Sequence, residues 1–169
     1  MHGGAGEAAA ASYGFLTTVD SATHGVFGGY LVIDVTGRPL EFHCTAPVKV
    51  SRAQRILYGA TLPAQLHGRQ IGATLLADTT TRPLAVLTDD EALLHVRPHT
   101  PLPVVLVRPR DGAAHCRGEG LTTFGEAALL LPDTAPADLV DRLGALAAGV
   151  DLREPFERIR AAIDEAQKH

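Results

Sequence analysis

Tyr30–Val48 reads YLVIDVTGRPLEFHCTAPV. Leu31, Ile33 and Val35 recur at every second position, the period of a strand whose alternate side chains share a face. TGRP, at 36–39, is a turn signal. Beyond it Leu40, Phe42, Cys44 and Ala46 take up the same period, with Glu41, His43 and Thr45 between them. The stretch predicts a β-hairpin. Its second strand is expected to turn Leu40, Phe42 and Cys44 to the core and Glu41 and His43 the other way.

Outward from the hairpin, YGFLTTV at 13–19 alternates loosely and reads as a strand. HGVFGG at 24–29 reads as a turn or bulge because of its glycines. On the other side, Ser51 followed by Gln54 is a capping-box pattern, and the helix it opens closes on Gly59. LPAQLHGRQIGATLLAD, at 62–78, is a second helical piece with Pro63 near its start, where a helix tolerates it.

Two apolar runs then follow, PLAVLT at 83–88 and PVVLV at 103–107. Neither shows polar alternation, as expected of parallel strands buried on both faces. DDEALLHV between them predicts a short crossover helix. Residues 111–122 read as loop. Thr123 and Glu126 form another capping box, so AALLL begins a helix, or is a strand stopped by Pro132. APADLVDRLGALAAG, at 135–149, is helical. In the last segment, from Asp151 as cap, Leu152, Phe156, Ile159, Ile163 and Ala166 make an apolar stripe at helical spacing. The expected class is mixed α/β: an N-terminal hairpin, buried central strands, flanking helices and a C-terminal amphipathic helix. With no repeat and no linker, 1–12 read as a flexible tail and 13–169 as one domain.

Composition narrows the function classes. Hydrophobic residues make up 46% of 169, enough for a real core. No apolar run reaches the roughly 18–20 residues of a membrane span. A net charge of −4 and few aromatic residues disfavour nucleic acid as a partner. Two cysteines and no export signal predict a cytoplasmic protein with reduced thiols. Thirteen of the fifteen basic residues are arginine, whose forked guanidinium suits carboxylates and phosphates.

Three candidate sites follow. His43–Cys44 and His115–Cys116 together offer four zinc donors. Strand parity separates His43 from Cys44, so an open site of His43, His115 and Glu41 is the alternative. Cys116, between a histidine and Arg117, is the better candidate for a reactive thiol. In α/β sheets ligands favour the carboxyl ends of parallel strands. There, Asp89 and Asp90 lie next to Arg108 and Arg110, a set able to hold a divalent cation and a phosphate-bearing substrate. The alternative for Asp89 is a helix N-cap. No G-x-S-x-G element or complete phosphate loop is present.

GGYLVIDVTGRPLEFHCTAPVKVSRAQRILYG followed by GRQIGATLL, at about 28–76, resembles a family of uncharacterised bacterial proteins. The resemblance implies that the hairpin, its HCTAP exit and the following helix act as a unit. At fold level the hairpin also resembles the sheet edges of roadblock-like dimerisation modules. The resulting expectation is a non-catalytic module binding a protein partner or ligand, as a homo-oligomer or complex subunit. An enzyme acting on a phosphate-containing substrate, and a zinc- or thiol-dependent protein, are the alternatives.

Overall fold

The computed structural model describes residues 11–111 and 120–168. Its centre is one seven-stranded sheet in the order β3-β2-β1-β4-β5-β7-β6. β1 is Ser12–Ser21, β2 Gly25–Asp34, β3 Pro39–Cys44, β4 Val86–Thr88, β5 Val104–Pro109, β6 Gly120–Phe124 and β7 Ala127–Leu131. β1, β2 and β3 form an antiparallel meander. β1, β4 and β5 run parallel. β7 and β6 complete the far side antiparallel. The mixed α/β class and the buried parallel pair are as the sequence predicts.

The helices are α1 (Arg52–Tyr58), α2 (Ala64–Ala73, wound as a π-helix), α3 (Thr74–Asp78), α4 (Leu139–Ala147) and α5 (Glu154–Gln167). A 3₁₀ segment, Glu91–His99, makes the crossover from β4 to β5. α4 and α5 cover one face of the sheet over Phe15, Leu31, Ile33, Leu87 and Val105. Phe156 of α5 meets Phe15 edge-on, with ring centroids 5.3 Å apart. The residues Leu66, Ile71, Leu75, Leu93 and Val96 cover the other face over Leu16, Tyr30, Val32 and Val86. Each such buried aliphatic side chain contributes about 1.5–3 kcal/mol.

Four expectations are corrected. HGVFGG is a turn only at its start, where His24 ends the β1–β2 turn and Gly25 takes a positive φ of 106°, while Val26–Gly29 lie inside β2. Gly28 and Gly29 are needed for space. A Cβ on Gly28 would sit 2.2 Å from an Ile71 methyl, and one on Gly29 2.3 Å from an Ile159 methyl. The two residues let helical segments from opposite faces close onto the sheet. Second, Thr123 and Glu126 cap no helix. Thr123 lies in β6 and Glu126 in the two-residue turn of the β6–β7 hairpin, where Gly125 takes a positive φ of 59°. Third, Asp90, not Asp89, caps the 3₁₀ segment, accepting the Ala92 N–H at 3.0 Å.

The fourth concerns β3. Leu40, Phe42 and Cys44 do share a face, but they are exposed, while Glu41 and His43 are half-buried. Phe42 pairs with Leu31, so parity does aim it toward the α4–α5 side. β3 is the edge strand, and α5 packs over β1 and β2. Cys44 is a free, exposed thiol.

Candidate functional site

The carboxyl ends of β1 and β4 carry two side-by-side constellations. Thr17 and Thr18 are successive residues of β1, so their side chains leave opposite faces of the sheet. Thr17 donates to Asp89 Oδ1 at 2.6 Å. Arg160 of α5 donates to the other oxygen of the same carboxylate and to Thr17 Oγ1 at 3.3 Å. On the opposite face Thr18 donates to Asp90 Oδ2 at 2.5 Å, and His67 Nε2 lies 3.9 Å from that oxygen. His67 Nδ1 is buried without a hydrogen-bond partner among the described residues. Asp89 and Asp90 therefore part to the two faces of the sheet.

The arginines also divide. Arg108 pairs with Glu91 at 3.1 Å. Arg110 turns to the β6–β7 turn and donates to the Gly125 carbonyl at 3.3 Å. A cleft of about 180 Å3 lies over Asp89, and Arg108, Arg153, Arg160 and Glu157 line it. Arg153, the N-cap residue of α5, precedes Arg160 by seven residues, about two helical turns, and both reach the cleft. Sequence reading missed both, together with Thr17, Thr18 and His67. The only signal was the charged border of the α5 apolar stripe, which looks like any solvated helix flank.

The first His-Cys pair is split as parity requires. His43 Nε2 and Glu41 Oε2 are 2.5 Å apart. Glu41 also accepts the N–H groups of Thr80, at 3.0 Å, and Thr81, at 2.9 Å. These contacts, the His43 imidazole first, hold the Glu41 carboxyl well below its ordinary range. Cys44 faces solvent on the opposite side. His115 and Cys116 lie outside the described residues. Among the described residues, no three His, Cys, Asp or Glu side chains are placed to hold a metal ion. No described helix is long and apolar enough to cross a membrane.

A third feature is a surface. α1 has the capping box expected from Ser51 and Gln54, with both reciprocal hydrogen bonds formed. None of its seven residues is buried. Ile56 is 71% exposed and Leu57 83%. Arg52 and Arg55 lie on the same short helix. From Phe42 to Ala77 the chain has Lys49, Arg52, Arg55 and Arg69 and no acid. This segment is basic in a chain whose net charge is −4.

No family model matches the chain, and no curated protein matches it. Among solved structures it is similar to Marinitoga piezophila Argonaute in complex with 5′ OH guide RNA. The identity is 10% and the TM-score 0.35, over 78% of this chain and 25% of that one. The same Argonaute with guide RNA and target DNA gives 10% identity and a TM-score of 0.33, over 78% and 24%. The chain thus spans about a quarter of the Argonaute's length.

Proposed function

We propose that the chain is a non-catalytic binding module that docks α1 onto another protein, into an apolar groove rimmed by acids. The supporting observation is that α1 is fully formed while none of its residues is buried. An isolated seven-residue helix is marginal in water, and Ile56 and Leu57 gain nothing from folding as they stand. Burying both in a partner would cover the two most exposed large apolar side chains of this segment. The basic rim sets the partner's charge. Two copies meeting through α1 about a two-fold axis would bring Arg52 and Arg55 against their own kind, with no acid nearby in the segment. That argues for a different, acidic partner and a role as a complex subunit.

Cytoplasmic location belongs to the same reading, because an exposed free Cys44 suits a reducing compartment. The resemblance of residues 28–76 to a bacterial family supports treating the hairpin and α1 as one unit.

The test places a photo-cross-linking residue at position 57 in the full-length chain in cells, with position 141 on α4 as control. The expected result is a position-57 adduct whose joined peptide is acidic, lost when Arg52 and Arg55 are both changed to Glu. Self-adducts alone, or identical adducts from both positions, would overturn the reading.

A second reading is favoured by the arginine-lined cleft over Asp89: an enzyme acting on a phosphate-containing substrate with a divalent cation. Magnesium-dependent nucleotide binding that Asp89→Asn abolishes would support it. Binding indifferent to magnesium, or none, would remove it.

A further inference from the structure

Tyr30 lies in the interior of β2 and is fully buried. Its hydroxyl has no hydrogen-bond partner among the described residues. A buried phenol normally finds one, because an unpaired buried hydroxyl has lost its hydration without compensation. The fold also makes room for this group. A Cβ on Gly14 of the neighbouring strand would stand 2.1 Å from the hydroxyl oxygen. Glycine inside a strand weakens it and marks a close approach, and here the approaching atom is the unpaired oxygen. Burial first, and the nearby Glu41 carboxylate second, push the phenol up, away from ionisation. The hydroxyl therefore keeps its proton and is available as a hydrogen-bond donor.

Tyr30 lines a cleft of about 400 Å3, within the roughly 300–1,000 Å3 range of small-molecule sites. The cleft opens at the amino ends of β4 and β5, the opposite end of those strands from Asp89. Its walls join Leu76, Pro83 and Leu102 with Thr79, Thr80, Thr81 and Thr100, its rim includes Arg82 and His99, and among the described residues no Asp or Glu lines it. Arg82 and His99 are exposed, and neither forms an ion pair among the described residues.

We infer that this cleft binds a small organic acid. Its carboxylate meets Arg82 at the rim, its apolar body lies along Leu76 and Leu102, and an internal hydrogen-bond acceptor meets the Tyr30 hydroxyl. A single guanidinium, with no second Arg and no Lys among the described lining residues, suits a monoanion better than a phosphate, which needs several charged donors. This site is independent of α1 and of the docking reading.

The probes are methyl-ketone acids from 4-oxopentanoate to 7-oxooctanoate, titrated into the full chain by ligand-observed NMR and calorimetry. Each is compared with the plain fatty acid lacking the ketone and with the methyl ketone lacking the carboxylate. At the best length, loss of either group is expected to weaken binding about tenfold. Tyr30→Phe should erase the ketone advantage alone and Arg82→Gln the carboxylate advantage alone. Tyr30→Phe is expected to fold at least as stably as the wild type, so its effect reads on binding. Absence of saturable binding by every probe, or equal binding by all three classes, would overturn the inference. So would advantages that persist in both variants.

Discussion

Thr17 and Asp89 are 72 positions apart in sequence, yet the threonine hydroxyl and the aspartate carboxylate lie 2.6 Å apart across β1 and β4. Thr17 is buried, and the carboxylate it serves is shared with Arg160 of α5. One side chain thus ties the parallel pair to the last helix. Thr17→Val is nearly isosteric and removes only the donor. A cost of about 1–2 kcal/mol is expected, in the range for a hydrogen bond to a charged group with one oxygen still paired. Urea unfolding of the two proteins checks it, and a loss below about 0.3 kcal/mol would show that Arg160 alone suffices.

Glu41 gives a pH signature. Its folded-state carboxyl lies well below its ordinary value of 4.5, so the unfolded chain binds the proton more readily. The stability it contributes is fully present above that ordinary value and is lost as pH falls through it toward the folded-state value. Glu41→Gln should be less stable than wild type by about 1–2 kcal/mol near neutrality. The gap should shrink steadily as pH falls below that ordinary value of 4.5. A gap independent of pH from 6 to 3 would contradict this.

Gly14→Ala tests the space above β1. The added methyl would lie 2.1 Å from the Tyr30 hydroxyl oxygen and 2.5 Å from two ring carbons, so the ring must move. Overpacking of this kind costs about 1–3 kcal/mol. Combining it with Tyr30→Leu, which removes the ring, should recover part of that loss beyond additivity, as a double-mutant cycle of thermal melts would record.

Cys44 should behave as a surface thiol. In a Cys116→Ser background, the folded protein is expected to react fully with a disulfide reagent such as dithionitrobenzoate, without denaturant. Labelling only after unfolding would return Cys44 to the core.

α1 should be neutral to stability. Leu57→Ser is expected to shift unfolding by less than about 0.5 kcal/mol, whereas Ile159→Ala, at a fully buried position, should cost about 2–5 kcal/mol. Comparable losses from the two would mean that α1 serves the fold.

Much of the architecture was legible because periodicity and local chemistry agree with the fold. The alternation through Leu31 and Ile33, the unbroken runs of β4 and β5, and the reciprocal Ser51–Gln54 cap all read correctly. The failures share a cause. Parity puts Phe42 and Cys44 on the same side as Leu31, but only the helices' extent decides which part of that side is covered. A Thr-x-x-Glu pattern is met equally by a hairpin with glycine at its tip. Gly28–Gly29 was misread because a glycine needed for room looks like one needed for turning. At the candidate site, Asp89 and Asp90 were visible, but their separation depends on Thr17 and Thr18, partners with no local signal.

The seat of α5 on the sheet has a consequence for synthesis. Phe15 and Gly29 are synthesised well over a hundred residues before Phe156 and Ile159, which close over them. At about 5–20 residues per second, the meander waits roughly six seconds to half a minute with one apolar face open. The nascent chain therefore has a defined window in which chaperones can hold it, and the window shuts only when the final helix arrives.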